Sequence, residues 1–393
     1  MPTESVSAVN VEGLSRVAKQ YSNLLRELPF FDYNEVAKSL RLNILKVKGE
    51  DIDISIRRKA GLLRPYKPGL ALGNNQELIK FYESKLKPEL VYAELKDNIT
   101  NYREKKVVSN AGEMVDNKSK KHPLELLILK NVLRSFSEDV IFAFFFAERD
   151  DTVASPLTSF NGFFTKLDML TVAGEIASAK GNLVATEAFD TGESLGIGSD
   201  DKNHYTRMVE FLRASNPLLR RGPVVLISAE NPINAVRDGF RAIVRNHDYP
   251  SLEQIVEKLR SDANAPQLSI ATHECLGSGD KLMLVKPGLL DIGVGDESDK
   301  DFVQVRNPYP DPNDVQYWIQ AAFDTRIKDV HPKLFQTNEQ VNTGLNLAGD
   351  YQDDDSGSGN DSGNSNDSGN SNGNGNGSGN GNGSGNGNGS SNG

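Results

Sequence analysis

Cysteine is almost absent from this chain, with Cys275 alone among 393 residues. A single thiol excludes an internal disulfide framework and points to a reducing compartment, or to a chain that needs no staples. Tryptophan is as scarce, represented by Trp318 only. Long apolar runs are missing: Val140 to Ala147 falls far short of the about 20 residues a membrane-spanning helix needs. The segment from Met1 to Lys19 has no basic stretch followed by an apolar run and a small-residue cleavage site, so no signal peptide is expected. Lysine and arginine form no stripe, and 44 basic against 54 acidic residues leave a net charge of −10. That balance argues against a protein that grips nucleic acid, because neutralised phosphates supply most of such affinity. Any contact with nucleic acid is expected to be loose.

The tail is the plainest feature present. Ser356 to Gly393 holds only Ser, Gly, Asn and Asp, which bury nothing, so residues 351–393 are expected to be a disordered Asn/Gly/Ser tail. About 350 residues precede it, enough for two or three packed units.

The stretch that organises the rest runs from Pro123 to Arg149. Leu129, Val132, Leu133, Phe136, Val140, Ala143 and Phe144 recur at steps of three and four, so they share one helical face. Pro123 suits a first turn, where its missing N–H costs nothing. The second half is apolar on every side, which implies burial against several neighbours. After it, Phe160, Phe163, Phe164 and Leu167 define a second apolar face, and Gly162 allows close approach of another backbone.

Upstream, Leu14, Val17, Tyr21, Leu24 and Leu28 step as an amphipathic helix. Asn43 to Ile56 alternates around Gly49 and Glu50 as a hairpin would, and Asn74 to Lys87 reads as a short helix. Glu89 to Lys121 is charged and has too few apolar residues for a core, so it either lies across a neighbouring subunit or is disordered. Downstream, a helix is expected over 204–222, a strand over 223–230, and two helices from Asn231 and Ser251, the latter with Ser251 as N-cap. Gln267 to Glu274, Lys281 to Gly295 and Asp301 to Pro308 read as three strands, and Asp314 to Phe335 alternates in its first half. The fold class is α+β.

No catalytic, cofactor or metal site emerges. Gly192 to Gly196 fits the nucleophile-elbow pattern around Ser194, but the residues after it cannot start a packed helix. Gly196-Ile197-Gly198 is half of a dinucleotide fingerprint without its third glycine. His273, Glu274 and Cys275 are metal-ligand types, yet consecutive strand residues point to opposite faces, so a satisfied structural histidine is the simpler reading. Asp296, Glu297, Ser298, Asp299 and Asp301 lack the spacing of a calcium loop and read as a solvated turn. Asp51 and Asp53, facing Lys46 and Lys48 across the hairpin, are explained as cross-strand pairs.

The order of elements resembles the major capsid protein of tailed bacteriophages, the Hong Kong ninety-seven-type fold that encapsulin shells also use. The likeness is sharpest in Ser155 to Asp168, in Leu282 to Val294, and in Val315 to Phe335. It implies an N-terminal arm with adjoining hairpin and helix (1–87), an extended loop (88–122) and a peripheral-domain spine helix (123–166). An axial domain (167–302), return strands of the peripheral domain (303–350) and the tail (351–393) follow. It further implies a shell subunit without enzymatic activity or cofactor, assembling as hexamers and pentamers around double-stranded DNA in the host cytoplasm. Separate scaffolding, portal and decoration or head-completion proteins would be its partners, with no membrane involved. Some members cross-link subunits through a Lys and an Asn; Lys105, Lys106, Lys118, Lys120 and Lys121 are available, but the pair is not placed. An encapsulin-like compartment, a surface polymer subunit and, last, a hydrolase using Ser194 are the alternatives.

Overall fold

The computed structural model describes residues 11–20, 33–58, 79–98, 123–153, 155–189, 203–244, 251–295, 303–307 and 314–343. Ser194, Asp296 to Asp301, Lys105 to Lys121 and the tail, for which the sequence raised expectations, lie outside those residues. In chain order the elements are α1 (Val11–Gln20), α2 (33–40), β1 (Asn43–Val47), β2 (Asp51–Arg58), β3 (Ile79–Leu86) and β4 (Glu89–Asn98). Next come α3 (Pro123–Phe146), α4 (Phe163–Val172), β5 (Leu183–Val184), α5 (His204–Ala214), α6 (Pro217–Arg220), β6 (Val224–Ser228), α7 (Glu230–Val244) and α8 (Leu252–Asp262). The chain continues with β7 (Leu268–Ala271), β8 (Ser278–Gly279), β9 (Leu282–Val285), β10 (Leu290–Gly295), β11 (Val303–Arg306), β12 (Asp314–Ile327), β13 (Phe335–Asn338) and β14 (Asn342–Thr343).

Two five-stranded sheets carry the fold. In the first, β1 runs parallel to β10, and β10 and β11 pair in succession along one edge of β12. β4 pairs along the other edge of β12, antiparallel, from Asp314↔Asn98 to Phe323↔Glu89. Alternation on β12 sends Val315, Tyr317, Ile319 and Phe323 into the core shared with α1, α2 and α3. Phe323 meets Tyr33 of α2 and Phe144 of α3 edge-on, at ring centroids 5.5 and 5.6 Å apart, geometries that aromatic quadrupoles favour.

The long helix behaves as its periodicity requires, with Leu129, Leu133, Phe136, Val140, Ala143 and Phe144 all buried. It stops at Phe146, short of Arg149. The chain then returns against the helix's own end. A Cβ on Gly162 would lie 2.7 Å from the Ala143 carbonyl oxygen and from the Phe145 carbonyl carbon, so glycine is what lets the two backbones meet.

The second sheet has the order β5-β13-β9-β6-β7. Every residue of β6, β9 and β13 is buried, because helices cover one face and the first core covers the other. Val224, Leu226, Leu282 and Leu284 pack on α5, α7 and α8, whereas Val225, Ile227, Met283, Val285 and Phe335 join the core around α3. Ser251 caps α8 in a full capping box with Gln254.

Five sequence expectations are corrected. Asn43–Ile56 is no hairpin: β1 joins β10, held by the Asn43 amide donating to the Gly288 carbonyl and to Asp291, and β2 pairs with β3 instead. Asp51 and Asp53 accordingly stand opposite Leu86 and Ser84, not Lys46 and Lys48. Within Asn74–Lys87, residues 79–86 are strand, since pairing with β2 outweighs a helical spacing that the same residues also satisfy. Lys281–Gly295 divides at Lys286 to Leu289, where Gly288 has φ +78, so β9 belongs to the second sheet and β10 to the first. Helix 204–222 breaks at Ser215 and Asn216, because Pro217 must open a new helix and Asn216 caps it.

Candidate interaction surface

β2 and β3 form a separate two-stranded ribbon, in register from Asp51↔Leu86 to Arg58↔Ile79. Residues opposite one another in an antiparallel pair share a face. One face therefore carries Ile52, Ile54, Ile56, Phe81 and Ile79 with Lys85, Glu83 and Arg58. These five apolar side chains are 48 to 68% exposed. The other face carries Asp53, Ser55, Arg57, Ser84, Tyr82 and Lys80, and it is the one turned to the subunit. The usual burial of a half-covered sheet is inverted: polar residues face the protein and isoleucines face solvent.

The root of the ribbon is fixed firmly. Leu86 is fully buried over Gly293, whose missing Cβ would otherwise lie 2.8 Å from the leucine Cγ. Arg326 donates to Asp291 at 2.7 Å and pairs with Asp51 at 2.8 Å. Lys328 Nζ lies 3.0 Å from the second oxygen of Asp291. Burial works against the Arg326 charge, but its bonds to Asp291 and Asp51 outweigh that and hold its pKa above the ordinary value. At the same end, just past Leu86, the Lys87 N–H and Lys166 Nζ donate to the two oxygens of Asp324.

Further along, Tyr82 still packs against the core, and polar contacts supply the rest. Arg57 Nη2 donates to Asp329 at 2.6 Å and Nη1 to Glu175 at 2.9 Å, while Ser55 Oγ donates to the other Asp329 oxygen at 2.8 Å. The guanidinium lies over the Tyr82 ring, 4.0 Å from its centroid. Lys180 reaches Glu175 at 3.0 Å, and the His331 N–H donates to Asp329 at 2.9 Å. Hydrogen bonds from Arg57, then from Lys180, hold the Glu175 carboxyl below its usual range. Burial lowers His331 and raises the Tyr82 hydroxyl.

A second open surface is the outer face of the first sheet. Tyr92 of β4 stacks on Trp318 of β12, centroids 5.1 Å apart and planes within 7°. Arg306 of β11 lies 5.9 Å from the Trp318 ring, and Gln316 donates to Glu94 beside it. Leu90 is exposed on the same face.

The other residues singled out by sequence do not form a site. His273 caps a short 3-10 turn, not a strand, and its Nδ1 accepts the Cys275 N–H at 3.1 Å. Cys275 is buried, and burial pushes its thiol well above the ordinary value, so the thiolate is suppressed. Among the described residues no three or more His, Cys, Asp or Glu gather as metal ligands, and no helix is long and apolar enough to cross a membrane. The ribbon's outer face was legible only as alternation, in Ile52-Asp53-Ile54-Ser55-Ile56; which face turns outward depends on Asp329 and Glu175, far away in sequence.

No family model and no curated protein matches the chain. Solved structures similar to it include the satellite phage P4 procapsid with its size determination protein, at 16% identity and a TM-score of 0.48, covering 79% of this chain and 89% of that one. The capsid of an empty GTA particle is 12% identical with a TM-score of 0.43, covering 78% and 90%. The virus-like particle from Pyrococcus furiosus is 12% identical with a TM-score of 0.38, covering 81% and 98%.

Proposed function

We propose that the chain is a major capsid protein that assembles into the closed icosahedral shell of a tailed bacteriophage around double-stranded DNA. The observation that carries this reading is the ribbon, whose isoleucines and Phe81 are displayed to solvent on a strand pair braced from behind by charges. Covering each such side chain is worth about 1.5–3 kcal/mol, so a stripe of five favours a protein surface over water. The sequence resemblance supplies the kind of assembly, and on this reading the open face of β2 and β3 lies on a neighbour. Helix α3 is the spine, the first sheet belongs to the peripheral domain and the second to the axial domain. Hexamers and pentamers, separate scaffolding and portal proteins, and assembly in the host cytoplasm complete the proposal.

Electron microscopy of purified chain, with and without co-expressed scaffolding protein, tests it. Closed particles of uniform size are expected. A chain that stays monomeric at high concentration under both conditions overturns the reading, and particles filled with protein cargo instead of DNA turn it toward an encapsulin-like compartment.

A further inference from the structure

Beyond Leu86, the face the ribbon turns to its own subunit contains no aliphatic side chain: Asp53, Ser55 and Arg57 alternate on β2, and Lys80, Tyr82 and Ser84 on β3. Ser84 Oγ is buried there without a hydrogen-bond partner, which a settled interface avoids. What crosses from ribbon to body, apart from the Tyr82 ring packed against the first core, is charge. Arg57 reaches two carboxylates on separate elements: Glu175 lies just after α4, and Asp329 just after β12. Both are braced from behind, Glu175 by Lys180 and Asp329 by the His331 N–H. The planar guanidinium holds its two prongs at a fixed spacing and angle, which an ammonium on a flexible stem does not.

We propose that Arg57 clasps the ribbon to its own subunit through Asp329 and Glu175, and that this charge clasp, seated on the Tyr82 ring, sets where the ribbon lies before a second copy covers it. Only the mention of a second copy rests on the shell reading. Arg57 and Glu175 are partly open to water, so the clasp weakens as salt screens it, whereas the root at Leu86 and Asp291 is buried and does not. The subunit thus holds its assembly surface by an attachment separable from its fold.

The test uses the full chain before assembly, carrying nitroxide labels at Glu83→Cys on the ribbon and Lys333→Cys on the body. Cys275 is buried with a suppressed thiolate and does not label. Electron–electron resonance gives the distance distribution between the labels. In low salt a single narrow distribution is expected. Arg57→Ala widens it to about twice that width, Arg57→Lys falls between, and Glu175→Gln widens it less than Arg57→Ala. Raising salt from about 0.05 to about 1 M does to the parent chain what Arg57→Ala does. Unchanged distributions in Arg57→Ala and Glu175→Gln overturn the proposal, as does a widening matched by loss of the cooperative thermal transition, which reports unfolding. Light scattering of the same chains follows assembly separately, so a loosened ribbon in a chain that never assembles refutes the shell reading and leaves the clasp standing.

Discussion

Arg326 and Asp291 form an ion pair at 2.7 Å with 3% and 0% of their side chains exposed. A pair this deep contributes little net stability, but removing one partner strands the other's charge, at about 3–5 kcal/mol. Asp291→Ala should therefore lower the unfolding free energy by that amount, because Arg326 and Lys328 both lose the buried carboxylate that pairs with them. Asp51→Ala removes a half-exposed partner and should cost under about 1 kcal/mol. Urea unfolding of both variants checks the contrast.

Phe144 and Gly162 test the packing around the end of α3 from opposite directions. Phe144→Ala empties the space between Tyr33, Phe160 and Phe323, at about 3–5 kcal/mol. Gly162→Ala has an ordinary φ of −75, so backbone strain is not at issue; its new methyl meets backbone atoms at 2.7 Å, and about 1–3 kcal/mol is expected. Calorimetric midpoints of the two variants supply the measurement.

Ile56 and Phe81 face each other across the ribbon on its open side. Ile56→Asp and Phe81→Asp should leave the unfolding free energy of the unassembled chain within about 0.5 kcal/mol of the parent, since both side chains are exposed. Assembly followed by light scattering should be lost in both. Equal loss of stability in the unassembled chain would show that these residues serve the fold.

Asp139, on α3, has its pKa pushed up to about 6 by burial, with Glu138 adding to the effect. Its unfolded value is near 3.8, so between these values the folded chain binds the extra proton and stability falls as pH rises. Above about pH 6 the ionised carboxylate is a standing cost, so Asp139→Asn should stabilise the chain at pH 7 by about 1 kcal/mol after allowance for solvent. The difference between variant and parent should vanish near pH 4. Thermal denaturation of both chains across that range decides it.

The parts legible in the sequence were those whose cause is local. α3 announces itself by spacing, Ser251 by its capping box with Gln254, and Gly162 by standing where two apolar segments must approach. What could not be read was pairing. Asn43 to Val47 looks like half of a hairpin until β10 claims it, and nothing near Ile79 to Leu86 says that its partner is β2. Alternation identified two faces on Asp51 to Ile56 but not which faces solvent, because Asp329 and Glu175 decide that and come from elsewhere in the chain. Trp318 stood out as the only tryptophan, while its stacking on Tyr92 needed the register of β4 against β12.

Asn43 meets Asp291 across 248 positions of chain. At the speed of translation those residues leave the ribosome tens of seconds apart, on the order of 5–20 residues each second. Through that interval Ile52, Ile54 and Ile56 are already outside, while Asp291, Arg326 and Asp329 have yet to be made. A nascent chain therefore shows the apolar face of β2 before it owns the groups that steady the ribbon from behind.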